Sequence, residues 1–178
     1  VVRPAQYICS LMPKIIVFPF RSYYESPAGI LEILASQSAV HAINFLKPGE
    51  QPKSEVPGEL TQECSRQLAA YFAGTLKEFT FPVQQEGTDF QQEVWNLLCA
   101  IPFGQTISYL TLALKAGEKN MTRAVANANG KNQLAIVVPC HRVIGSNGTL
   151  TGYAGGLERK RWLLDHEARV NGTYMKLF

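Results

Sequence analysis

Thr88-Asp89-Phe90-Gln91-Gln92-Glu93-Val94-Trp95-Asn96-Leu97-Leu98-Cys99-Ala100-Ile101 is the stretch that divides the chain. Thr88 followed three residues later by Gln91 is a capping-box signature, in which hydroxyl and amide satisfy backbone N–H groups that a helix start leaves free. Behind it Phe90, Val94, Leu97, Leu98 and Ile101 recur at helical spacing. This predicts a core helix over 89–101, ended by Pro102 and Gly104.

Upstream of that helix the sequence reads as strands. A strand at Tyr23–Ser26 ends at Pro27, and Ile30–Ala35 and Val40–Leu46 form a hairpin across Ser36-Gln37-Ser38. Lys47–Gly58, with three prolines and two glycines, reads as an exposed connection. Glu59–Phe72 follows as a helix stopped by Gly74, and Thr80–Gly87 crosses to the second half.

Downstream, Ser108 caps a short helix running to about Ala116. Asn120 caps a second one running to about Asn129, with Gly117 and Gly130 as stops. The pair has the outline of a helix-turn-helix. Leu134–Val138 reads as a short buried extended run, and a last helix covers about Leu157–His166. The expected fold is α/β, of the α+β kind. A small sheet-and-helix domain occupies 1–82, and a mostly helical domain with the helix-turn-helix occupies 88–178.

Composition fits a globular chain: 46% of the 178 residues are hydrophobic and 17% charged. No apolar run is long enough to span a bilayer. Ile15–Phe20 is interrupted by Pro19 and lacks the pattern of a signal peptide, so an intracellular, cytoplasmic protein without membrane contact is expected. The net charge of +3 is uneven: residues 1–86 carry 7 basic and 8 acidic side chains, and residues 87–178 carry 10 and 6. The second half can thus face a polyanion, although a solvated basic face would give the same count. The four cysteines form no CxxC pair, so neither a disulfide framework nor a compact zinc site is written here. Cys9, Cys64 and Cys99 read as ordinary buried thiols.

Cys140 differs through its neighbours, Val138-Pro139-Cys140-His141-Arg142-Val143. Pro139 stiffens the approach, and the basic side chains beside the thiol can lower its pKa. A structural cysteine at the end of a core strand is the other reading of the same residues. On an extended chain adjacent side chains point to opposite faces, so His141 would reach the thiol only through a turn or a bridging water. That disfavours a simple Cys–His hydrolase pair. Glu167, just beyond the last helix, is a candidate to hold the imidazole from behind, or else a solvated helix-end carboxylate.

Pro139-Cys140-His141-Arg142-Val143 resembles the active-site signature of the O6-alkylguanine-DNA alkyltransferases. The resemblance takes in Phe90–Trp95, Ile101–Gly104, Ile107–Tyr109, Arg123–Val125, Asn132, Gly148-Thr149, Gly152–Gly156 and Trp162–Glu167, in order and register. It extends more loosely to Ser26-Pro27 and Tyr71–Gly74 in the first half.

The resemblance implies repair of duplex DNA by single-turnover transfer of an alkyl group from oxygen 6 of guanine to Cys140. Oxygen-4-alkylated thymine would be a poorer substrate. His141 would take the thiol proton through a water, Glu167 would orient the imidazole, Asn132 would hold the active-site loop, and Tyr109 would donate to the departing guanine. Tyr153, Ala154, Gly155 and Gly156 would line the pocket of the flipped base. Arg123 would fill the vacated stack, on a helix whose small residues, Ala124 among them, approach the groove closely together with Asn127. No cofactor is implied, and the free protein is expected to be a monomer.

This sequence departs from the family pattern in three places. Asn127 stands where relatives usually carry a smaller residue, Gln133 replaces a proline, and Ala154 stands where some relatives carry a serine. Cys9, His41 and Cys64 do not reproduce the zinc ligands of some relatives, so no metal is expected. Two other readings remain. A lesion binder without transfer activity would lack the acceptor cysteine, which is present. A major-groove regulator would want longer polar side chains than the Ala, Val and Asn of the second short helix.

Overall fold

Alternation of apolar and polar residues builds the first half. In β2 (Gly29–Ala35) Leu31, Ile33 and Ala35 are fully buried, while Glu32 and Leu34 between them are only partly so. β2 pairs antiparallel with β1 (Phe20–Ser26) and β3 (Val40–Phe45), giving the order β1-β2-β3. The computed structural model describes residues 18–117 and 119–173. Helix α1 (Glu59–Phe72) packs its Cys64, Leu68 and Tyr71 face on the sheet.

Neither sheet edge is left open. Arg21 and Val56 exchange backbone hydrogen bonds beside β1. On the far side, Val40 of β3 bonds Pro82 and Gln84, and Ile43 bonds Gln133 and Ala135. The sheet therefore continues, through isolated bridges, into the segment that leads to Cys140.

The second half holds α2 (Asp89–Cys99), α3 (Tyr109–Lys115), α4 (Thr122–Gly130) and α5 (Leu157–Val170). A two-residue parallel pair, β4 (Ile107–Ser108) with β5 (Val143–Ile144), ties the entrance of α3 to the exit of the cysteine turn. The capping box at Thr88 and Gln91 forms, and the Ser108 hydroxyl accepts from the Thr111 N–H. Trp95 of α2 donates from Nε1 to the Ala128 carbonyl at 2.9 Å, which fixes α4 against α2. One hydrophobic cluster runs through both halves, from Leu31 and Ile43 to Leu98, Val143 and Leu163.

Several expectations are corrected. β1 begins at Phe20 rather than Tyr23, because Phe20 still pairs with Ala35 at the far end of β2. α2 ends at Cys99, two residues early, and Ile101 follows in a turn bonded to Leu98. Asn120 does not cap α4. It lies in a 3-10 turn over Lys119–Met121, and α4 starts at Thr122 without a side-chain cap. Gly130 is the last residue of α4 rather than its stop. Leu134–Val138 is not extended: Leu134 alone bridges to Ile43, after which the chain turns, Val138 N–H bonds the Leu134 carbonyl and Ile136 takes φ 73°. α5 runs on to Val170, because Leu163, Leu164, Glu167 and Ala168 form one buried face, and Glu167 therefore lies inside the helix. Cys64 is buried, Cys99 is exposed at the end of α2, and Cys9 lies outside the described residues.

Trp95→Phe would keep the ring packing but leave the Ala128 carbonyl without its donor. Urea unfolding is expected to show a loss of about 1–3 kcal/mol. An unchanged midpoint would mean that the Trp95 bond does not secure α4.

Candidate active site

The turn at Ile136 delivers Pro139 into a single 3-10 turn, Cys140–Arg142, and not into a strand. The premise of alternating faces fails there, yet the His141 ring does not bond the thiol; the Sγ of Cys140 meets Asn132 Nδ2 at 3.1 Å and the backbone of His141 itself. Asn132 secures the loop from both ends of its amide. Nδ2 donates to the Val138 carbonyl at 2.8 Å, and Oδ1 accepts from the Leu134 N–H at 3.0 Å. The Gln133 N–H donates to Gln85 Oε1 at 2.9 Å, a bond that a proline at this position could not make.

Behind the thiol lies a fully buried carboxylate. Glu167 Oε1 accepts from Tyr71 OH at 2.9 Å and Arg142 Nη2 at 2.9 Å, and it meets His141 Nε2 at 2.8 Å. Oε2 accepts from Arg142 Nε at 2.9 Å and from the Gly104 N–H at 2.9 Å. Arg142 also donates to the Ile101 carbonyl at 2.6 Å. A carboxylate only accepts, so Nε2 of His141 carries the proton of the neutral ring. Nδ1 is then the lone-pair nitrogen, and it is buried with no hydrogen-bond partner in the protein.

Burial dominates the acid–base balance. It pushes the Cys140 thiol above its ordinary pKa, against the opposing pull of Asn132 and the Lys160 ammonium. The lowered thiol pKa expected from the basic neighbours is thus reversed in the resting site, where Arg142 is committed to Glu167. Burial also lowers His141 below the usual imidazole value, although Glu167 pulls it the other way. For Glu167, burial by itself raises the carboxyl, but the charges and hydrogen bonds of His141 and Arg142 overcome it and hold the group well below the carboxylate range. Once burial has removed the extra ring proton, Arg142 is the lasting counter-charge.

Two hollows flank Tyr153. One, of about 310 Å³, contains Cys140 and Asn132, with Ala135, Tyr153, Ala154 and Gly155 on the helical side. The other, of about 370 Å³, is lined by Tyr109, Arg123, Asn129 and the Thr151–Tyr153 strip. Tyr109 is half-buried; its hydroxyl receives Asn129 Nδ2 at 3.3 Å and makes only long contacts, 3.5 and 3.4 Å, to the Thr151 and Gly152 carbonyls. Burial, and then the nearby Cys140, raise its pKa, so the phenol keeps its proton. Arg123, Ala124 and Asn127 are exposed on α4. Gly156 starts α5 with φ 90°, a conformation that favours glycine. Among the described residues no group of three or more His, Cys, Asp or Glu side chains could hold a metal ion.

Sequence reading missed three contributors. Lys160 is fully buried and donates to the Val143 carbonyl at 2.6 Å and the Thr151 carbonyl at 2.8 Å; burial brings its pKa down to about 8 against the pull of Cys140. Its position on the same helical stripe as Leu163, Leu164 and Glu167 was a legible signal. Tyr71, four residues past Gln67 in α1, entered only through the looser Tyr71–Gly74 resemblance, which assigned it no role. Asn129 had none.

Comparison with known proteins agrees with this arrangement. Residues 89–169 match the family described as 6-O-methylguanine DNA methyltransferase, DNA binding domain, and residues 20–85 match its ribonuclease-like domain. A methylated-DNA–protein-cysteine methyltransferase of Methanosarcina acetivorans is 46% identical, over 83% of this chain and 97% of that protein. The crystal structure of Mycobacterium tuberculosis O6-methylguanine methyltransferase superposes with a TM-score of 0.77 at 43% identity, covering 84% of this chain and 93% of that one. The M. tuberculosis protein in complex with DNA gives a TM-score of 0.76 at 44% identity, covering 83% of this chain and 92% of that one. With both halves matched in order, the chain belongs to the 6-O-methylguanine DNA methyltransferase family.

Proposed function

We propose that this protein repairs duplex DNA by moving an alkyl group from oxygen 6 of guanine, and less well from oxygen 4 of thymine, onto Cys140. The observation that carries the reading is a thiol at the floor of a cleft, backed by a buried His141–Glu167 pair whose Nδ1 is free to accept a proton. Family membership and the DNA complex of a relative support the substrate class.

The chemistry balances within the protein. A water relays the Cys140 proton to His141 Nδ1, and the imidazolium is stabilised by Glu167. The thiolate forms a bond to the alkyl carbon as the carbon–oxygen bond breaks, and the electron pair stays with the guanine. Tyr109 donates a hydrogen bond to that developing charge. The guanine finally takes up the proton the thiol lost, and the thioether remains on the protein. Asn132 holds the acceptor loop, and the neutral thiol of the resting site limits side reactions with other electrophiles.

The base must leave the stack to reach a buried thiol. In this reading α3 and α4 act as the helix-turn-helix. Ala124, Asn127 and the other small exposed side chains of α4 lie against the DNA, and Arg123 fills the vacated position. Tyr153, Ala154, Gly155 and Gly156 form the strip along which the base enters. The division at 82–88 separates a sheet domain from the DNA-binding domain. Among the described residues no helix is long and apolar enough to cross a membrane. From the DNA-repair reading itself, and not from that absence, we propose a cytoplasmic protein that is a monomer when free.

Incubation with excess duplex carrying O6-methylguanine should add one methyl to the intact mass, on the peptide containing Cys140. Many turnovers per protein, or a methyl elsewhere, would sink the reading. His141→Ala should slow transfer at neutral pH and recover part of the rate as pH rises, because the Cys140 thiol, held above its ordinary pKa, must then ionise unaided. The unaltered protein should instead lose rate as pH falls and His141 becomes protonated. A variant with the wild-type pH profile would remove His141 from the relay. Arg123→Ala should slow repair of duplex by one or more orders of magnitude, equivalent to ~1–3 kcal/mol, yet react nearly normally with free O6-methylguanine. Equal slowing on both would make Arg123 a structural residue.

A further inference from the structure

The cleft that contains Cys140 has a second wall that the transfer chemistry does not use. It comes from the sheet domain: Asn44, Phe45, Leu46 and Lys47 at the end of β3, with Glu32 and Glu50 at the rim. This wall is hydrogen-bonded to the acceptor loop, since Ile43 exchanges backbone bonds with Gln133 and Ala135, on either side of Leu134 and next to Asn132.

A single side chain locks the same wall to the other side of the cleft. Arg159 of α5 donates to the Leu46 carbonyl at 3.0 Å, the Ala28 carbonyl at 3.1 Å and the Gly155 carbonyl at 3.2 Å. Its guanidinium lies 4.8 Å from the centre of the Phe45 ring. Phe45 in turn packs so close to Gly155 that a Cβ there would sit 3.0 Å from Phe45 and 2.7 Å from Tyr153. Three carbonyls from three loops converge on one planar fork, whose flat, spread geometry the compact ammonium of a lysine does not match.

The cleft is also large for a methyl group. A water occupies about 30 Å³ of liquid, and a methyl is of similar size, whereas the cleft measures about 310 Å³. Tyr109 and Arg123, the residues assigned above to the departing guanine and the vacated stack, line the other hollow, on the far side of Tyr153. Beside Cys140 and the Asn132 amide the cleft is lined by Ala135, Phe45, Tyr153 and Ala154, and Glu32, Asn44, Lys47 and Glu50 add polar or charged groups to it.

We propose that the sheet domain is part of the substrate site: the Asn44–Lys47 wall receives the distal end of alkyl groups longer than methyl that terminate in a hydrogen-bonding group, and Arg159 holds that wall against the Tyr153–Gly155 strip. This rests on the transfer reading above. Arg159 is a positioning residue, and Asn44 is a specificity determinant exposed in the cleft.

Single-turnover rates on duplexes carrying O6-methylguanine and O6-(4-hydroxybutyl)guanine test it. In the unaltered protein both groups should end on Cys140, and failure of methyl transfer there would overturn the transfer reading itself. Asn44→Trp fills the cleft from an exposed strand position, and it should lower the hydroxybutyl-to-methyl rate ratio at least tenfold. Arg159→Ala and Arg159→Lys should both lower the ratio several-fold, because the lysine keeps the charge but not the planar fork that spans the Leu46, Ala28 and Gly155 carbonyls. With methyl transfer intact, an unchanged ratio in Asn44→Trp, or equal slowing on both lesions, would overturn the role of the wall alone. Restoration of the ratio by Arg159→Lys would overturn the strut.

Discussion

The buried carboxylate of Glu167 is the constraint on which the rest of the structure depends. An unpaired charge inside a protein costs several kcal/mol, on the order that a whole domain's stability can lose only once or twice. Five hydrogen bonds meet that demand. Their donors come from α1, from the loop after α2 and from the cysteine turn, and the acceptor sits on α5. One side chain therefore sets the mutual position of four segments. It also draws His141 and Arg142 into the interior, which leaves Cys140, the first residue of the same short turn, facing the cleft.

The same burial governs reactivity. Desolvation alone would leave an inert thiol, a neutral imidazole and a protonated carboxyl. Only the carboxyl escapes, because Arg142 supplies a permanent cation with two bonds to it. The result is a polarised pair, His141 and Glu167, next to a protonated thiol. Lys160 adds a second buried cation that gathers the Val143, Thr151 and Gly152 carbonyls around the site. The site is thus organised in its resting state without holding a standing thiolate.

The sheet takes part in this organisation. β3 would be an exposed edge if nothing covered it, and unpaired edges invite association with other chains. Here the crossing segment and the acceptor loop cover it, at Val40 and Ile43 respectively. Tyr71 and Arg159 then tie α1 and the β1–β2 turn to the helical side. A small domain that contributes no reacting group is in this way bonded directly to the loop that carries the thiol.

The sequence by itself determined the elements and the chemistry. Capping at Thr88 and Ser108, period-2 alternation in β2 and β3, and the helical stripes of α1 and α2 are local signals, and each element formed close to its expected bounds. The Pro-Cys-His-Arg register pointed to the acceptor and the base proposed above. Tertiary structure decided what local pattern could not. Leu134–Val138 is apolar enough for a strand, but its backbone turns because Ile43 pairs with Gln133 and Ala135 and Asn132 captures the Val138 carbonyl. Glu167 reads as a partner for His141 or else as a solvated helix-end carboxylate; the structure shows the contact with His141, and adds Arg142, Gly104 and Tyr71 at sequence separations of 25, 63 and 96 residues, which no local reading connects. The direction of the Cys140 shift followed the same rule: neighbours in sequence suggested activation, while burial, a property of the whole fold, raised the thiol instead.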